Sequence, residues 1–248
     1  MIFGKKFDLV ISLGEDCACA MYLKKFKLRD ASYPFDWLCH ATFEKRIELL
    51  ENDFAGFMQK ENLRWFAKPT TGLRDLETDN YEDTKTGFYF YHDFKEGEPL
   101  DAIYPAVREK YDRRIARLYR NVSKADDVLF IWRTSGLISL EEISDAQKRL
   151  SLKFKKNIYL LSVQNAPSQK DITWEKSGEY TVRATGSITD NEGSTMGDQI
   201  ISDRIFSEIK ISGFNKERLL AKKILVKLLC VFVPSKPLRR KIRHSILD

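Results

Sequence analysis

The chain is expected to fold as an α/β protein: a three-layer, Rossmann-like open sheet, mostly parallel, with helices on both faces and an amphipathic helix at its C-terminal end. Three observations predict this. Residues 7–13, 127–132 and 157–163 are largely apolar, rich in β-branched side chains, and short enough to be strands buried on both faces. Helical apolar spacing follows the first two, at residues 17–28 and 139–152. The length, 248 residues, is at the upper end of what one core serves, so a single domain over 1–212 with an appendage over 213–248 is the natural division.

Taken in order, the first unit is strand, tight turn at Gly14, then a helix that Cys17 opens, with Met21, Tyr22, Leu23, Phe26 and Leu28 along one face. Residues 32–37 (SYPFDW) make an aromatic loop, and 42–57 carry apolar positions at 43, 47, 50, 54 and 57, the period of an amphipathic helix. Residues 67–86 mix Pro, Gly, Thr and Asp without a period, and 87–91 form an aromatic strand that ends at His92 and Asp93. Pro105 is expected to open a helix running to about 122 with an Arg-rich surface, and Ser139 or Ser144 to cap the helix that follows. A last short strand is expected at 180–184, a polar loop at 185–197 and a helix at about 198–210.

Hydrophobic content of 43% with 16 Phe, 10 Tyr and 4 Trp supplies a core, and 31% charge supplies a soluble surface, so general disorder is excluded. The net charge of +6 is unevenly placed. Residues 216–248 hold ten Lys and Arg against Glu217 and Asp248, a net of +8, which leaves −2 for the rest. A near-neutral body with a basic tail points away from nucleic acid and toward a local electrostatic anchor. No export signal is read at the N-terminus, so Cys17, Cys19, Cys39 and Cys230 are expected as reduced thiols in a cytoplasmic protein.

Chemistry, if present, centres on Cys17. A cysteine behind a buried strand and at the start of a helix is expected to be exposed and electropositive, where unpaired N–H groups and the helix dipole favour thiolate and oxyanion. Glu15 and Asp16 work against the thiolate and are read instead as groups that orient a substrate or a base. The bland alternative is a cysteine packed as a small hydrophobe. Of His40, His92 and His244, His92 is the best-placed base, with Asp93 or Asp36 to orient its ring. Gly14, Glu15, Asp16, Trp37, Arg113 and Arg133 are the candidate substrate-binding residues. The CxC and CH spacings of Cys17, Cys19, Cys39 and His40 are not zinc knuckles, and neither GxGxxG nor GxxxxGK[ST] occurs, so no metal and no cofactor is expected.

The run FDLVISLGEDCACAMYLKKFKLRDASYPFDWL, with LLENDF at 49–54, YHDF at 91–94, YDRRIARL at 111–118 and VLFIWR at 128–133, resembles the bacterial family catalogued as papain-like cysteine peptidases. Carried over, the catalytic pair falls on Cys17 and His92, with Asp93 or Asp36 third. A papain-like site has a glutamine upstream of the cysteine and an aromatic residue after it; here those places hold Ile11 and Ala18. The strand, glycine and acidic residues ahead of the nucleophile also resemble the GDS-type turn of small esterases and acyl hydrolases, for which Asp190 or Asp198 could serve.

Residues 215–233 read as a helix with Leu220, Ile224, Leu225, Leu228, Leu229 and Phe232 on a broad face and Lys216, Lys222, Lys223 and Lys227 largely elsewhere, followed by a basic cluster to Arg243. It is too short in apolar residues to cross a bilayer and is expected to lie on an anionic membrane surface through residues 216–243. Such tails resemble those of lipopolysaccharide and capsule enzymes. The leading expectation is therefore a cysteine-dependent hydrolase or acyl-type transferase in surface-polysaccharide assembly, acting on a glycan or glycolipid-related substrate. The rivals are a glycosyl or phosphosugar transferase using the 108–120 arginines and a non-catalytic membrane-surface binding module.

Overall fold

The computed structural model describes residues 2–67, 78–189, 200–239 and 242. The chain runs through β1 (Leu9–Ser12), α1 (Cys17–Lys25), a 3-10 turn at Pro34–Trp37, β2 (Leu38–His40), α2 (Phe43–Glu51), β3 (Leu63–Ala67), β4 (Thr78–Asp83) and β5 (Phe88–Lys95). It continues through α3 (Leu100–Lys124), β6 (Asp127–Thr134), α4 (Leu140–Phe154), β7 (Asn157–Asn165), β8 (Thr173–Ser177), β9 (Thr181–Gly186), α5 (Ile200–Ser207) and α6 (Gly213–Val231).

The strands form two sheets. The larger has the order β1-β6-β7-β9-β8, parallel from β1 to β9, with β8 antiparallel at one edge. Its apolar strands are buried on both sides because alternate residues feed two cores. Val128, Phe130 and Trp132 of β6 point with Leu9 and Ile11 into a core closed by α2, α3 and α4. Leu129 and Ile131 point with Val10 into the other, closed by α1 and α5. This is the expected three-layer α/β arrangement, with helices on both faces of a mostly parallel sheet.

The second sheet, β2-β5-β4-β3, is antiparallel and was not anticipated. Its β5 packs Phe88, Phe90 and Phe94 into the core shared with α3, while β4 (TDNYED) carries too little apolar sequence to be recognised. The strand expected at 87–91 runs to Lys95, so His92 and Asp93 lie inside it and not beyond its end.

Other boundaries also move for physical reasons. The second helix stops at Glu51, because Asp53 and Phe54 adopt left-handed backbone that no α-helix continues through. Phe54 and Phe57 still reach the core from that turn. Pro105 lies inside α3, which opens at Leu100, and not at its start. The cap of α4 is Ser139, whose hydroxyl accepts from Glu142 N while the Glu142 carboxylate accepts from Ser139 N. Asp190 and Asp198, and His244, fall outside the described residues.

The turn between β1 and α1 explains Gly14. A β-carbon there would stand 2.5 Å from the β-carbon of Cys19, itself fully buried under β6. Gly14→Ala is expected to destabilise the fold by about 1–3 kcal/mol through that overlap. Gly136→Ala, whose added carbon meets nothing nearer than the Thr134 hydroxyl at 3.7 Å, is expected to stay within about 0.5 kcal/mol of the parent. Urea unfolding of both variants checks the contrast.

Candidate active site

The site is built at the carboxyl end of β1, where ligands of open α/β sheets collect. Hydrogen bonds from Leu13 N to Ile131 O (2.8 Å) and from Glu15 N to Arg133 O (3.0 Å) carry the β1–β6 ladder past the last residue of β1. The Glu15 carboxylate then accepts from Ser135 N (2.6 Å), Ser135 Oγ (2.9 Å) and Thr134 Oγ1 (3.0 Å). Glu15 therefore clamps the turn onto the end of β6. Asp16 is the N-cap of α1, its carboxylate accepting from Ala18 N at 2.8 Å.

Cys17 is the first residue of α1 and is half-buried. Its thiol is pushed up to about 11, chiefly by burial and then by the Asp16 carboxylate, with its own backbone N–H acting the other way. The expected exposed, electropositive thiolate is thus corrected: at neutral pH this is a thiol. Burial outweighs the helix terminus, and the capping carboxylate supplies charge of the wrong sign.

Cys39 of β2 stands beside it. The same Cys17 N–H is directed at the Cys39 sulfur, whose thiol is pushed up to about 12, by burial first and then by Cys17 and Asp16. Two sulfurs converge on one donor. Register across β2 and β5 pairs Cys39 with Tyr89, and the Tyr91 hydroxyl, raised to about 12 by burial and by Cys39, lies on the same side. His40 follows, with left-handed backbone (φ 58°), its Nε2 3.0 Å from the Tyr91 hydroxyl and its ring 4.3 Å from that of Tyr89.

Beneath this group lies Arg46 of α2, fully buried. Its Nη2 donates to His40 O at 2.6 Å and more weakly to Glu15 O at 3.4 Å, and the guanidinium lies over the rings of Phe88, Trp132 and Phe35 at 4.7, 5.2 and 5.5 Å. Burial opposes its charge, and Cys39, Glu15 and Asp16 favour it. Nε and Nη1 have no hydrogen-bond partner among the described residues, so the ring faces supply their favourable contacts.

His92 is half-buried on β5 and meets the ring of Trp37 edge-on at 5.8 Å. Trp37 lies two residues before Cys39 in the chain, and the groups that act on the His92 ring are Asp93 and Lys110. Burial lowers the His92 pKa, Lys110 adds to the lowering, and Asp93 opposes it. The ring is neutral at pH 7.

The remaining predicted residues have other partners. Asp93 pairs with Lys110 and accepts from the Tyr111 hydroxyl at 2.8 Å. Asp36, wholly buried, accepts from Arg29 at 2.6 Å and from Tyr33 N at 2.8 Å, fixing the 3-10 turn. Arg133 is 1% exposed, donates to Ile188 O at 2.7 Å, and lies 5.3 Å from the ring of Tyr22. Arg113 pairs with Glu109 on the surface of α3. The structure thus gathers Gly14, Glu15, Asp16 and Cys17 in one turn and adds Cys39, His40, Arg46 and Tyr91, which sequence reasoning did not assign. A weak signal existed in the adjacent Cys39 and His40 after PFDW. Arg46 had none, because a lysine-and-arginine position on an amphipathic helix reads as surface. Among the described residues no cluster of His, Cys, Asp and Glu has the form of a metal site.

Fold and site together define an α/β protein with a thiol at the first turn of the helix behind the opening parallel strand. The family described as "Putative papain-like cysteine peptidase" matches residues 8–160, more than half of the chain, and the chain belongs to that family. It is also similar to a protein of Acanthamoeba polyphaga mimivirus described as uncharacterized protein R408, 29% identical over 200 residues that cover 74% of this chain and 89% of the relative. No solved structure matches it.

A thiol near 11 fixes how Cys17 should respond to electrophiles. Its alkylation by iodoacetamide at pH 7.5 is expected to run roughly 100-fold slower than that of an ordinary exposed cysteine and to rise about tenfold per pH unit up to about pH 10. Mass-spectrometric timing of the Cys17 peptide reads this directly, and fast labelling independent of pH would contradict it.

Proposed function

We propose that the chain is a cysteine-dependent hydrolase or acyl-type transferase in which Cys17 is the nucleophile and His92 the general base. The observation that carries this reading is a thiol, not a thiolate, on the first turn of a helix behind a parallel strand, within a family described as cysteine peptidases. A protonated nucleophile needs a base during attack. His92 supplies a ring that is neutral at pH 7. In acylation the Cys17 sulfur bonds to the substrate carbonyl carbon as its proton passes to His92; the imidazolium then gives that proton to the leaving group, producing a thioester. Water or another acceptor, deprotonated by the same ring, releases the acyl group and restores the thiol.

The oxyanion would take the Cys17 N–H. In the resting arrangement that donor acts on sulfur, a weak acceptor, which a developing oxyanion would replace. Asp93 raises the His92 pKa through its charge and is held by Lys110 and Tyr111, which makes it an electrostatic support for the base. Neither the description of the family nor that of the mimivirus relative names a polysaccharide role.

One observation favours a second reading for the base. His40 Nε2 is 3.0 Å from the Tyr91 hydroxyl, whose pKa is itself raised by burial and by the neighbouring Cys39, and this gives His40 its own route toward the sulfurs.

A panel of activated esters, thioesters and peptides separates these readings. Cys17→Ala is expected to abolish turnover, and full activity in that variant would end the proposal. His92→Gln is expected to lower kcat/KM by about 10²–10⁴ and His40→Gln by only a few-fold; the reverse ranking would transfer the role to His40. Because burial holds the His92 pKa below its ordinary value, the acid limb of kcat/KM, along which the base becomes protonated, should lie at lower pH than that of an ordinary imidazole. The acid limb should be missing from any residual activity of His92→Gln.

A further inference from the structure

Helix α6 presents an apolar face that the described chain does not cover. Leu220, Ile224, Leu225, Leu228, Leu229 and Phe232 are each between 41% and 83% exposed. At 100° per residue they occupy one continuous arc of roughly half the helix circumference. The opposite flank is closed: Val226 and Cys230 are 4% and 7% exposed, and the Cys230 thiol is directed at the Arg239 carbonyl at 3.8 Å, so the segment after the helix folds back behind it. Lys227 lies at the border of the arc, and Lys236 is exposed on the returning segment. Across 216–243 the sequence has ten Lys and Arg against a single acid, Glu217.

We infer that α6 and the basic segment behind it form a docking surface for an anionic lipid bilayer, with the helix lying in the headgroup plane and its leucine-rich arc entering the acyl boundary. An apolar arc with Lys227 at its border, in a segment whose sequence carries ten cations against one acid, is complementary to such a membrane, which offers hydrocarbon and negative charge in adjacent layers. A second copy of the chain would offer the same cations to each other and would meet only a narrow seam of so broad an arc. Crossing is excluded for this element: among the described residues no helix is long and apolar enough to span a membrane.

Flotation of the full-length chain with phosphatidylcholine vesicles, with and without phosphatidylglycerol, tests this. Strong recovery with the anionic vesicles, weak recovery with the neutral ones and loss of binding at high salt are expected. Ile224→Asp with Leu228→Asp, in solvent-exposed positions, should abolish recovery with an unchanged circular dichroism spectrum. Lys227→Gln, Lys236→Gln and Arg239→Gln together should lower the partition coefficient by roughly 100-fold, about fivefold for each cation removed. Equal recovery with both vesicles, indifference to either set of variants, or a concentration-dependent dimer that does not float would each overturn the proposal.

Discussion

The position of the Cys17 sulfur depends on how closely the turn at Gly14 approaches the helix it introduces. Cys19 packs its β-carbon into the space a side chain at 14 would fill and directs its own thiol at Ile131 O at 3.7 Å, which draws the first turn of α1 onto β6. The Glu15 carboxylate secures the same turn from the other side through Thr134 and Ser135. With both contacts made, the axis of α1 and the direction of its first N–H groups have little freedom. A side chain held by a turn between packed elements is better ordered than one on an open loop, because its backbone cannot move without breaking buried contacts.

The antiparallel sheet adds what that turn lacks. It brings Cys39 beside Cys17, with His40 and Tyr91 next to Cys39, on strands whose other faces carry Phe88 and Phe90 into the core. Arg46 joins the two parts, since its Nη2 reaches both the His40 carbonyl of the antiparallel sheet and the Glu15 carbonyl of the parallel one. A guanidinium so deeply buried persists because rings and carbonyls replace its hydration; removing any of them leaves a charge without compensation. Arg46 is therefore a structural link under the site, out of reach of a ligand.

The parallel sheet was legible because its strands are buried on both faces and so announce themselves as unbroken apolar runs such as VLFIW. The antiparallel sheet was not, since β4 buries Asn80 and, with hydrogen-bonded carboxylates, Asp79 and Asp83, and buried polar residues carry no hydrophobic period. Cys17 and its turn could be read from local order alone, strand then glycine then helix. Cys39 and Tyr91 could not, because their nearness to Cys17 is created by β2 and β5 pairing far along the chain. The thiolate expectation failed for a related reason: exposure was inferred from a helix start, whereas burial is set by what packs over that start.

The shifts at Cys17 and His92 point the same way, each toward its uncharged form. A cysteine–histidine ion pair requires a thiol pKa well below that of the imidazole, and cysteines of that kind fall far below 8.5. Here burial raises one group and lowers the other, and Asp16 stands where it repels a thiolate. At pH 7 only about one Cys17 in ten thousand would be ionised, so a resting site of this kind is inert toward adventitious electrophiles. Under the proposed role of Cys17, attack would depend on a substrate whose carbonyl oxygen takes the Cys17 N–H as the proton leaves the sulfur, so that charge appears only where the helix terminus can receive it. A site of that kind would favour substrates that bind well enough to align the carbonyl before any charge forms, and its specificity would reside in that alignment more than in the reactivity of the sulfur.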